Sequence, residues 1–316
     1  MSSDSETTLT RPRVPFYSRL LANPLTTMAR LLNTSFPVSF PSPMPGNTPV
    51  TIVCVSDTHN TTPRLSAGDI LVHAGDLTAD GTKPELLCAI SWLKAQPHRH
   101  KVVVAGNHDL CLDESLPQVA PAADDDVDWG EIVYLNGTSA ILKCGGREVR
   151  IYGEPRTPRF GSWAFQYARS RPRDPWAGTV PAGTDVLVTH APPKGHMDDE
   201  AGHWGCEFLL REVWRARPRL HVFGHVHCGR GREAVAFDEL QRAYEDVVSG
   251  EAAARGGGGL MAWGKALAAL GRCFWAWRRV WWRGGRRGKG ESLFVNAAVV
   301  GAVGDRLVRE GIVVRI

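Results

Sequence analysis

The sequence of 316 residues predicts an α/β fold in which mixed β-sheets are flanked by helices. Three observations predict this fold. From Pro49 onward, short β-branched runs alternate with helical patterns, which is typical of β-α-β units. Hairpin signals interrupt the alternation, so some neighbouring strands are expected to be antiparallel. Several apolar runs also end in Asp, Asn or His, which would gather polar side chains along one rim of a sheet.

The elements up to residue 152 follow from apolar runs, one helical pattern and one turn. Strands are predicted at about 50–55, 70–73, 101–105, 131–135, 139–143 and 148–152. A helix is predicted over Lys83–Ala95, because four apolar residues recur there on one side: Leu86, Leu87, Ile90 and Leu93. Asn136-Gly137, between two of the strands, favours a hairpin turn.

The second half returns to the same pattern after a loop-rich stretch at 154–183. A strand at 185–189, a helix at about 205–216 and a strand at 220–223 form a further β-α-β unit. The remaining predicted elements are a strand at 232–237, a helix at 238–249 and strands at 293–296 and 311–315. Together these elements predict an α/β sandwich.

The composition narrows the class of protein. Apolar residues make up 43% of the chain and charged residues 22%, as in ordinary globular proteins. The cysteines occur singly, without a CxxC pair, which favours reduced thiols and a cytoplasmic location. Residues 1–48 are rich in Ser, Thr and Pro and lack an apolar signal. We expect a disordered or loosely docked tail there, with a mitochondrial presequence as the less favoured alternative.

Five polar clusters follow predicted strands in one order along the chain. They are Asp57 with His59, Gly75-Asp76, Gly106-Asn107-His108-Asp109, Thr189-His190 and Gly224-His225-Val226-His227. A single cluster of this kind is more often a turn or a cap. Five of them at successive strand ends indicate a cage for two divalent metals.

The clusters divide into two sets of predicted ligands. Asp57, His59, Asp76 and His227 would hold the first metal, and Asp76 would bridge to a second, completed by Asn107, His190 and His225. Asp57 and His59 are two residues apart, so on an extended segment both side chains point the same way. Two cations roughly 3.5–4 Å apart would clamp a phosphoryl group, and a metal-bound hydroxide would be the nucleophile.

The motif series DTH, GD, GNHD, TH and GHVH resembles the calcineurin-like metallophosphoesterases, with the pattern of class III cyclic nucleotide phosphodiesterases. GEPRTPRFGSWAFQ at 153–166, THAPPKG at 189–195, the segment 205–227 and FVNAA at 294–298 are similar to the small metallophosphoesterase-domain (brain-protein-239-like) group. The resemblance covers about residues 50–300. It implies a four-layer α-β-β-α sandwich within a domain over 49–316. It also implies Mn²⁺ or Fe as the metals, with Zn²⁺ and Mg²⁺ as alternatives.

The same resemblance implies roles around the phosphate. His108 would protonate the leaving oxygen or stabilise its charge. Asp109 could orient the His108 imidazole, or could be a turn residue that caps the next segment. Trp163, Phe165 and Phe160 fall in a loop near the site, where an aromatic ring could stack on a base. We favour a core-anchoring role for these three residues.

The leading functional hypothesis is metal-dependent hydrolysis of a small phosphodiester or nucleotide, such as a cyclic nucleotide. One alternative is a module that binds nucleotide or docks a partner with little turnover. The presence of His227, which some relatives lack, speaks against it. A protein serine/threonine phosphatase is a third alternative. It is less favoured because Gly75-Asp76 is followed by Leu77-Thr78-Ala79-Asp80, where that family usually has GDxVDRG.

Residues 250–290 form a basic, Trp-rich insertion between the GHVH and FVNAA motifs. Residues 255–290 contain nine Lys or Arg and no acid, so the rest of the chain is mildly acidic and no specific nucleic-acid binding is expected. Spacings of three and four join Leu260, Trp263, Leu267, Leu270, Phe274, Trp277 and Trp281, with Lys265, Arg272 and Arg279 nearly opposite. The pattern predicts an amphipathic helix. It would contact an anionic membrane through 260–287, or pack on the domain or a second subunit.

Overall fold

The computed structural model describes residues 15–38, 48–116, 127–169, 173–198, 204–286, 290–301 and 307–316. Its helices are α1 (Phe16–Ala22), α2 (Pro24–Thr34), α3 (Lys83–Lys94), α4 (Glu207–Ala216), α5 (Glu239–Ala253) and α6 (Gly259–Trp282). Its strands are β1 (Thr51–Val55), β2 (Ile70–Ala74), β3 (His100–Val104), β4 (Ile132–Leu135), β5 (Thr138–Cys144), β6 (Arg147–Glu154), β7 (Thr157–Pro158), β8 (Gln166–Tyr167), β9 (Val186–Thr189), β10 (Leu220–Phe223), β11 (Gly231–Ala236), β12 (Glu291–Asn296), β13 (Val300–Gly301), β14 (Leu307–Val308) and β15 (Ile312–Arg315).

Two mixed sheets carry the fold. The first has the order β15-β1-β2-β3-β4, in which β1 to β4 are parallel and β15 is antiparallel to β1. The second has the order β11-β12-β10-β9-β6-β5, with a parallel centre and antiparallel strands at both edges. Parallel neighbours need crossover connections, and α3 and α4 supply them between β2 and β3 and between β9 and β10.

Apolar side chains from both sheets form the layer between them. Ile52, Val72 and Val104 of the first sheet belong to the same buried cluster as Val188 and Val222 of the second. Strands that are buried on both faces read as continuous β-branched runs, which is why the sequence predicted them so closely.

The helices cover the outer faces of the two sheets. Leu86 and Leu93 of α3 pack with Leu71 of the first sheet, and Leu209 of α4 packs with Phe223 of the second. The α3 N-terminus has a capping box. The Thr82 side chain accepts from the Glu85 backbone N–H, and the Glu85 carboxylate accepts from the Thr82 backbone N–H. The predicted α-β-β-α sandwich is confirmed.

The N-terminal segment differs from its predicted state as a disordered or loosely docked tail. Ala29 of α2 is fully buried against α5 and α6. The backbone N–H of Thr26 donates to the Glu251 carboxylate at 2.7 Å, and the Asn33 side chain donates to Gln241 at 3.0 Å. The partners of α2 lie more than two hundred residues further along the chain, so its own residues do not show which surface it packs on. Residues 1–14 and 39–47 lie outside the described residues.

The basic insertion contains one long helix that packs against its predecessor. Gly257 and Gly259 adopt φ values of 99° and 62°, which allow the chain to turn between α5 and α6. The ion pairs Arg272–Asp246 at 3.0 Å and Arg279–Glu239 at 3.3 Å join the two helices along their length. Their register makes α5 and α6 an antiparallel hairpin.

The buried face of α6 is not the predicted apolar stripe. Its buried residues are Ala266, Ala269, Cys273 and Ala276, and they face α5 and α2. The stripe is divided, because Leu270 and Trp277 are half-buried while Leu267 and Trp281 are exposed. Small side chains let helix axes approach closely, and this close approach decided which face is buried. None of the helices in the described part of the chain is long and apolar enough to cross a bilayer.

Candidate metal centre

The carboxyl ends of parallel strands from both sheets meet at one rim. Asp57 follows β1, Asp76 follows β2 and Asn107 follows β3 in the first sheet, while His190 and His225 follow β9 and β10 in the second. Each of these side chains leaves its strand within three residues of the last strand position. The cluster order seen in the sequence therefore becomes a ring of ligand-type atoms between the two sheets.

The first group of ligand-type atoms comes from Asp57, His59 and His227. One nitrogen or oxygen of each lies within 4.8 Å of the others. Asp57 Oδ1 is 3.2 Å from His227 Nε2, although the two residues are far apart in the sequence. The Asp57 carboxylate also accepts from the backbone N–H of His225 at 3.0 Å, which ties the GHVH turn to the end of β1.

The second group comes from Asp76, His190 and His225, whose ligand-type atoms also lie within 4.8 Å of one another. Asp76 Oδ2 is 3.3 Å from His190 Nε2 and 3.6 Å from His59 Nε2. Asn107 Oδ1 lies 3.0 Å from His190 Nε2. Asp76 thus stands between the two groups, where a bridging carboxylate would have to be. The structure brings all seven sequence-predicted ligands together.

The backbone at these positions is unusual for residues with side chains. Asp57, His59, Asp76 and His225 have φ values of 54°, 40°, 54° and 65°. The left-handed region costs such residues roughly 1–2 kcal/mol each, and strain of this kind clusters at functional sites.

His59 Nε2 is buried and has no hydrogen-bond partner among the described residues. A donor set of carboxylates, imidazoles and one amide, with an unpartnered buried nitrogen, fits divalent metals.

Two glycines let the backbone pass close to the carboxylates. A Cβ on Gly224 would lie 2.0 Å from Asp57 Oδ2, and a Cβ on Gly106 would lie 2.2 Å from Asp76 Oδ1. Only glycine leaves room at these distances. The glycines of the GHVH and GNHD motifs are therefore part of how the centre is built.

The two carboxylates are held in their ionised form. Burial alone would raise the pKa of Asp57, but its hydrogen bond to His227 and the nearby imidazoles lower that pKa well below the usual range. Burial opposes ionisation of Asp76 in the same way, and the charge and hydrogen bond of His190 lower its pKa. Anionic carboxylates are the form that binds a metal cation.

The imidazoles of the second group differ from each other in pKa. Burial alone would lower the pKa of His190, but Asp76 and Asp57 raise it to about 9. Burial, together with the neighbouring His190, lowers the pKa of His225 to about 4. A metal ligand must be a neutral imidazole, so binding at His190 requires release of its proton.

His108 lies beside both groups with a fixed ring. One of its ring nitrogens lies within 4.8 Å of ligand-type atoms of His59 and Asp76. Nδ1 donates to the Ala79 carbonyl oxygen at 2.6 Å, so this nitrogen carries a proton and Nε2 is left for other contacts. The Trp163 ring stacks on the imidazole, with centroids 4.1 Å apart and an angle of 29°.

The Asp109 carboxylate does not contact the His108 ring, although Asp109 occupies the N-cap position of the short turn Leu110–Leu112. Its carboxylate accepts from the backbone N–H groups of Thr78 at 3.0 Å and Gly106 at 2.8 Å, and from the Thr78 hydroxyl at 2.8 Å. The His108 ring is held by Ala79 instead, and Asp109 makes no side-chain cap to the segment that follows. Asp109 fastens the loop after β2 to the loop after β3. Burial and the nearby Asp76 raise its pKa to about 6.

The aromatic loop lies at the rim of the site. Trp163 touches His108, as the base-stacking alternative requires, whereas Phe160 is 53% exposed and is no core anchor. Phe160 instead packs edge-on against Trp204 at 4.8 Å. Phe165 is half-buried, and its backbone N–H donates to Asp113 at 2.6 Å.

Asn296 supports the centre and was not identified from the sequence. Its side-chain amide donates to the carbonyl oxygens of Val226 at 2.9 Å and Met197 at 3.2 Å. These contacts hold the GHVH turn against the loop that follows His190. A signal was available, since Asn296 ends β12 at the same rim as the other polar strand ends.

A buried ionic network lies behind the loop that follows His190. His196 Nδ1 is 3.1 Å from Glu233 of β11, and His196 Nε2 is 3.1 Å from Glu245 of α5. Burial alone would lower the pKa of His196, but the two carboxylates raise it to about 10. Trp214 donates to the same Glu245. The network ties the site loop to α5.

A cavity of about 760 Å³ lies away from the metal centre, between the N-terminal half of α5 and the C-terminal half of α6. Its lining includes Trp214, Phe237, Trp275 and Arg279 and none of the predicted ligands. The predicted ligands lie instead at the strand ends, along the rim between the two sheets.

The two sandwiched sheets and the paired Asp/His groups are the features that the comparisons with known proteins bear on. Residues 50–229 match the model of the calcineurin-like phosphoesterase family. The chain belongs to that family, and the resemblance in the motifs is confirmed. The family and the Asp/His groups together indicate a dinuclear site for divalent metals.

Two relatives show how far the similarity extends. A protein of Emericella nidulans named probable rhamnogalacturonate lyase C is 43% identical over 306 residues, which are 95% of this chain and 28% of that protein. Human metallophosphoesterase domain-containing protein 1 is 36% identical over 202 residues, which are 57% of this chain and 61% of that protein. The chain thus spans less than two thirds of either relative. Among solved structures, TT1561 of Thermus thermophilus has a TM-score of 0.40 and 14% identity, covering 60% of this chain and 85% of its own.

Proposed function

We propose that the chain hydrolyses a small phosphodiester, with cyclic nucleotides as the substrate class. The observation that carries this proposal is the position of Asp76 between two Asp/His groups, with the fixed ring of His108 beside it. The motif pattern, which resembles class III cyclic nucleotide phosphodiesterases, supports the choice of a phosphodiester. A cytoplasmic location stays an expectation from the single, irregularly spaced cysteines of the sequence.

Two sets of residues would hold the metals. Asp57, His59, Asp76 and His227 would hold the first, and Asp76 with Asn107, His190 and His225 would hold the second. Two divalent metals bound there would supply Lewis acidity to the phosphoryl oxygens and to a water molecule. Mn²⁺ or Fe suits this mixed set of oxygen and nitrogen donors, and Zn²⁺ or Mg²⁺ is the alternative.

His108 would donate a proton to the leaving group. Hydrolysis breaks one P–O bond, and the departing oxygen needs a proton. With Nδ1 committed to Ala79, the second proton of a cationic imidazole sits on Nε2 and can pass to that oxygen. Stacking on Trp163 holds the ring in one orientation while the proton moves. Positioning of this kind avoids the cost of ordering the acid during the reaction.

The aromatic rim supports a nucleotide as the ligand. Trp163 lies against His108. Phe160, which lies in the same loop as Trp163 and is exposed, packs against Trp204. Exposed rings beside a phosphate site can stack on a base, which contributes about 1–3 kcal/mol per base in nucleotide-binding proteins. A small nucleotide would place its phosphate at the centre and its base toward this rim.

The test uses the full chain with Mn²⁺ and three substrates: bis(p-nitrophenyl) phosphate, a 2′,3′-cyclic nucleotide and a 3′,5′-cyclic nucleotide. We expect Asp76→Ala and Asn107→Ala to abolish turnover and to lower the amount of bound metal. We expect His108→Ala to lower kcat by about 10²–10⁴-fold with bound metal unchanged. Ile141→Ser, on the 57% exposed side chain of β5, serves as the control with unchanged turnover.

Several outcomes would contradict the proposal. Normal turnover by Asp76→Ala and Asn107→Ala would remove the dinuclear mechanism. Tight nucleotide binding by a metal-loaded wild-type chain that hydrolyses none of the three substrates would favour the binding module instead. Loss of metal in His108→Ala would make His108 a ligand and not the proton donor.

A further inference from the structure

We propose that the outer face of α6 binds the surface of an anionic lipid membrane. The outer face is defined by six large apolar side chains that are 45–92% exposed: Leu260, Leu267, Phe274, Trp275, Trp281 and Trp282. This set differs from the stripe that the sequence predicted, because Trp263, Leu270 and Trp277 turn toward the neighbouring helices.

The helix hairpin explains why these side chains remain exposed. The opposite face of α6 is occupied by Ala266, Ala269, Cys273 and Ala276, which pack on α5 and α2. Asp246 and Glu239 of α5 also pair with Arg272 and Arg279 along one flank. The orientation of α6 is thus fixed by its inner face and its flank, and the aromatic outer face cannot turn inward. Burying it requires a surface from outside the chain.

The basic residues of α6 select the kind of surface. Lys265, Arg278 and Arg283 have no acidic partner within the described ranges, and α6 itself contains no acid. Arg278 lies in the middle of the face, with its guanidinium 5.2 Å from the Trp275 ring. A long cationic side chain among Trp rings can leave its stem in the apolar region and reach a phosphate with its head.

The same charges argue against a second copy of the chain as the occupant. A two-fold interface would place Arg278 of one copy against the same basic face of the other, with no acid on either α6. An anionic bilayer offers headgroup phosphates to the basic residues and an acyl boundary to the Trp and Leu side chains. No helix in the described residues is apolar enough to cross the bilayer, so α6 would lie on its surface.

The test is co-sedimentation of the full chain with phosphatidylcholine vesicles prepared with and without phosphatidylserine. The apolar variant combines Trp275→Ser, Trp281→Ser and Trp282→Ser, and the charge variant combines Lys265→Gln, Arg278→Gln and Arg283→Gln. Ile141→Ser is the matched control, since it removes an exposed apolar side chain from β5. The substituted side chains are exposed, so we expect each variant to keep its fold. Thermal unfolding of each variant checks this expectation.

We expect the wild-type chain and Ile141→Ser to bind the phosphatidylserine vesicles, and both triple variants to bind them at least about tenfold more weakly. Binding of the wild type should also fall as salt is raised, because the headgroup attraction is screened. A wild-type chain that stays in the supernatant with both kinds of vesicle overturns the proposal. So does equal binding by the apolar variant, or a wild-type dimer that this variant converts to a monomer.

Discussion

The metal centre and the α5–α6 hairpin use glycine in opposite ways. In the centre, Gly224 and Gly106 leave no room for a Cβ, because carboxylate oxygens of Asp57 and Asp76 lie within 2.2 Å of where it would be. In α6, Gly264 and Gly271 have nothing within 4 Å of the same position. The geometry of the centre therefore depends on contact at the backbone itself, whereas the outer face of α6 is open to substitution.

The largest effect is expected for Gly224→Ala, which tests the first half of this comparison. The new Cβ would meet Asp57 Oδ2 at 2.0 Å and Ser56 Oγ at 2.1 Å, so the GHVH turn and the Asp57 carboxylate must separate. We expect a fall in kcat/KM of about 10²-fold, as for displaced catalytic groups, together with loss of bound metal. Turnover assays with Mn²⁺ measure the fall in kcat/KM, and metal analysis measures the loss of bound metal. Retention of full activity would show that the centre tolerates movement of Asp57.

An intermediate effect is expected at His196, which joins the two regions through Glu233 and Glu245. Its pKa is raised from 6.5 to about 10, so the protonated ring stabilises the fold fully below pH 6.5 and this contribution is lost as the pH rises through about 10. Breaking a buried ion pair costs about 3–5 kcal/mol. We therefore expect His196→Gln to lower the free energy of unfolding by that amount at pH 6, with a smaller difference near pH 10.

His221→Gln is the matched control for this pH dependence. His221 is also fully buried, but burial lowers its pKa to about 3, so it is neutral throughout the same range. Denaturant unfolding from pH 6 to pH 10 should give a constant difference between wild type and His221→Gln. A His196→Gln difference that is equally constant would mean that His196 is not held as a cation.

The smallest effect is expected for Gly264→Ala and Gly271→Ala, the counterparts of Gly224→Ala. Both glycines lie inside α6 with open space around them, and alanine favours the helix by roughly 0.5–1 kcal/mol at such positions. Each substitution should raise the free energy of unfolding by about that amount in denaturant titrations, with turnover unchanged. A decrease in stability would indicate that the outer face of α6 packs against something in solution.

The regions also differ in how far the sequence predicted them. The predicted positions of Asp57, Asp76, Asn107 and His190 after buried strands matched the structure, because parallel strands bring their carboxyl ends to a common rim. Of the two roles considered for Asp109, a contact with the adjacent His108 ring is not found. The Asp109 carboxylate reaches the loop after β2 instead, a contact that spacing within one motif cannot reveal.

Which segments become strands, in what order they end in ligand-type residues, and that residues 260–281 form a helix all follow from the amino-acid sequence. These properties depend on periodicity and on neighbours within a few positions. Which face of α6 is buried, and the packing of α2 on α5 through Glu251 and Gln241, depend on the tertiary structure. Burial depends on which surfaces approach closely. Glu251 and Gln241 lie more than two hundred residues from α2, so the pattern of one segment does not show which other segment it will meet.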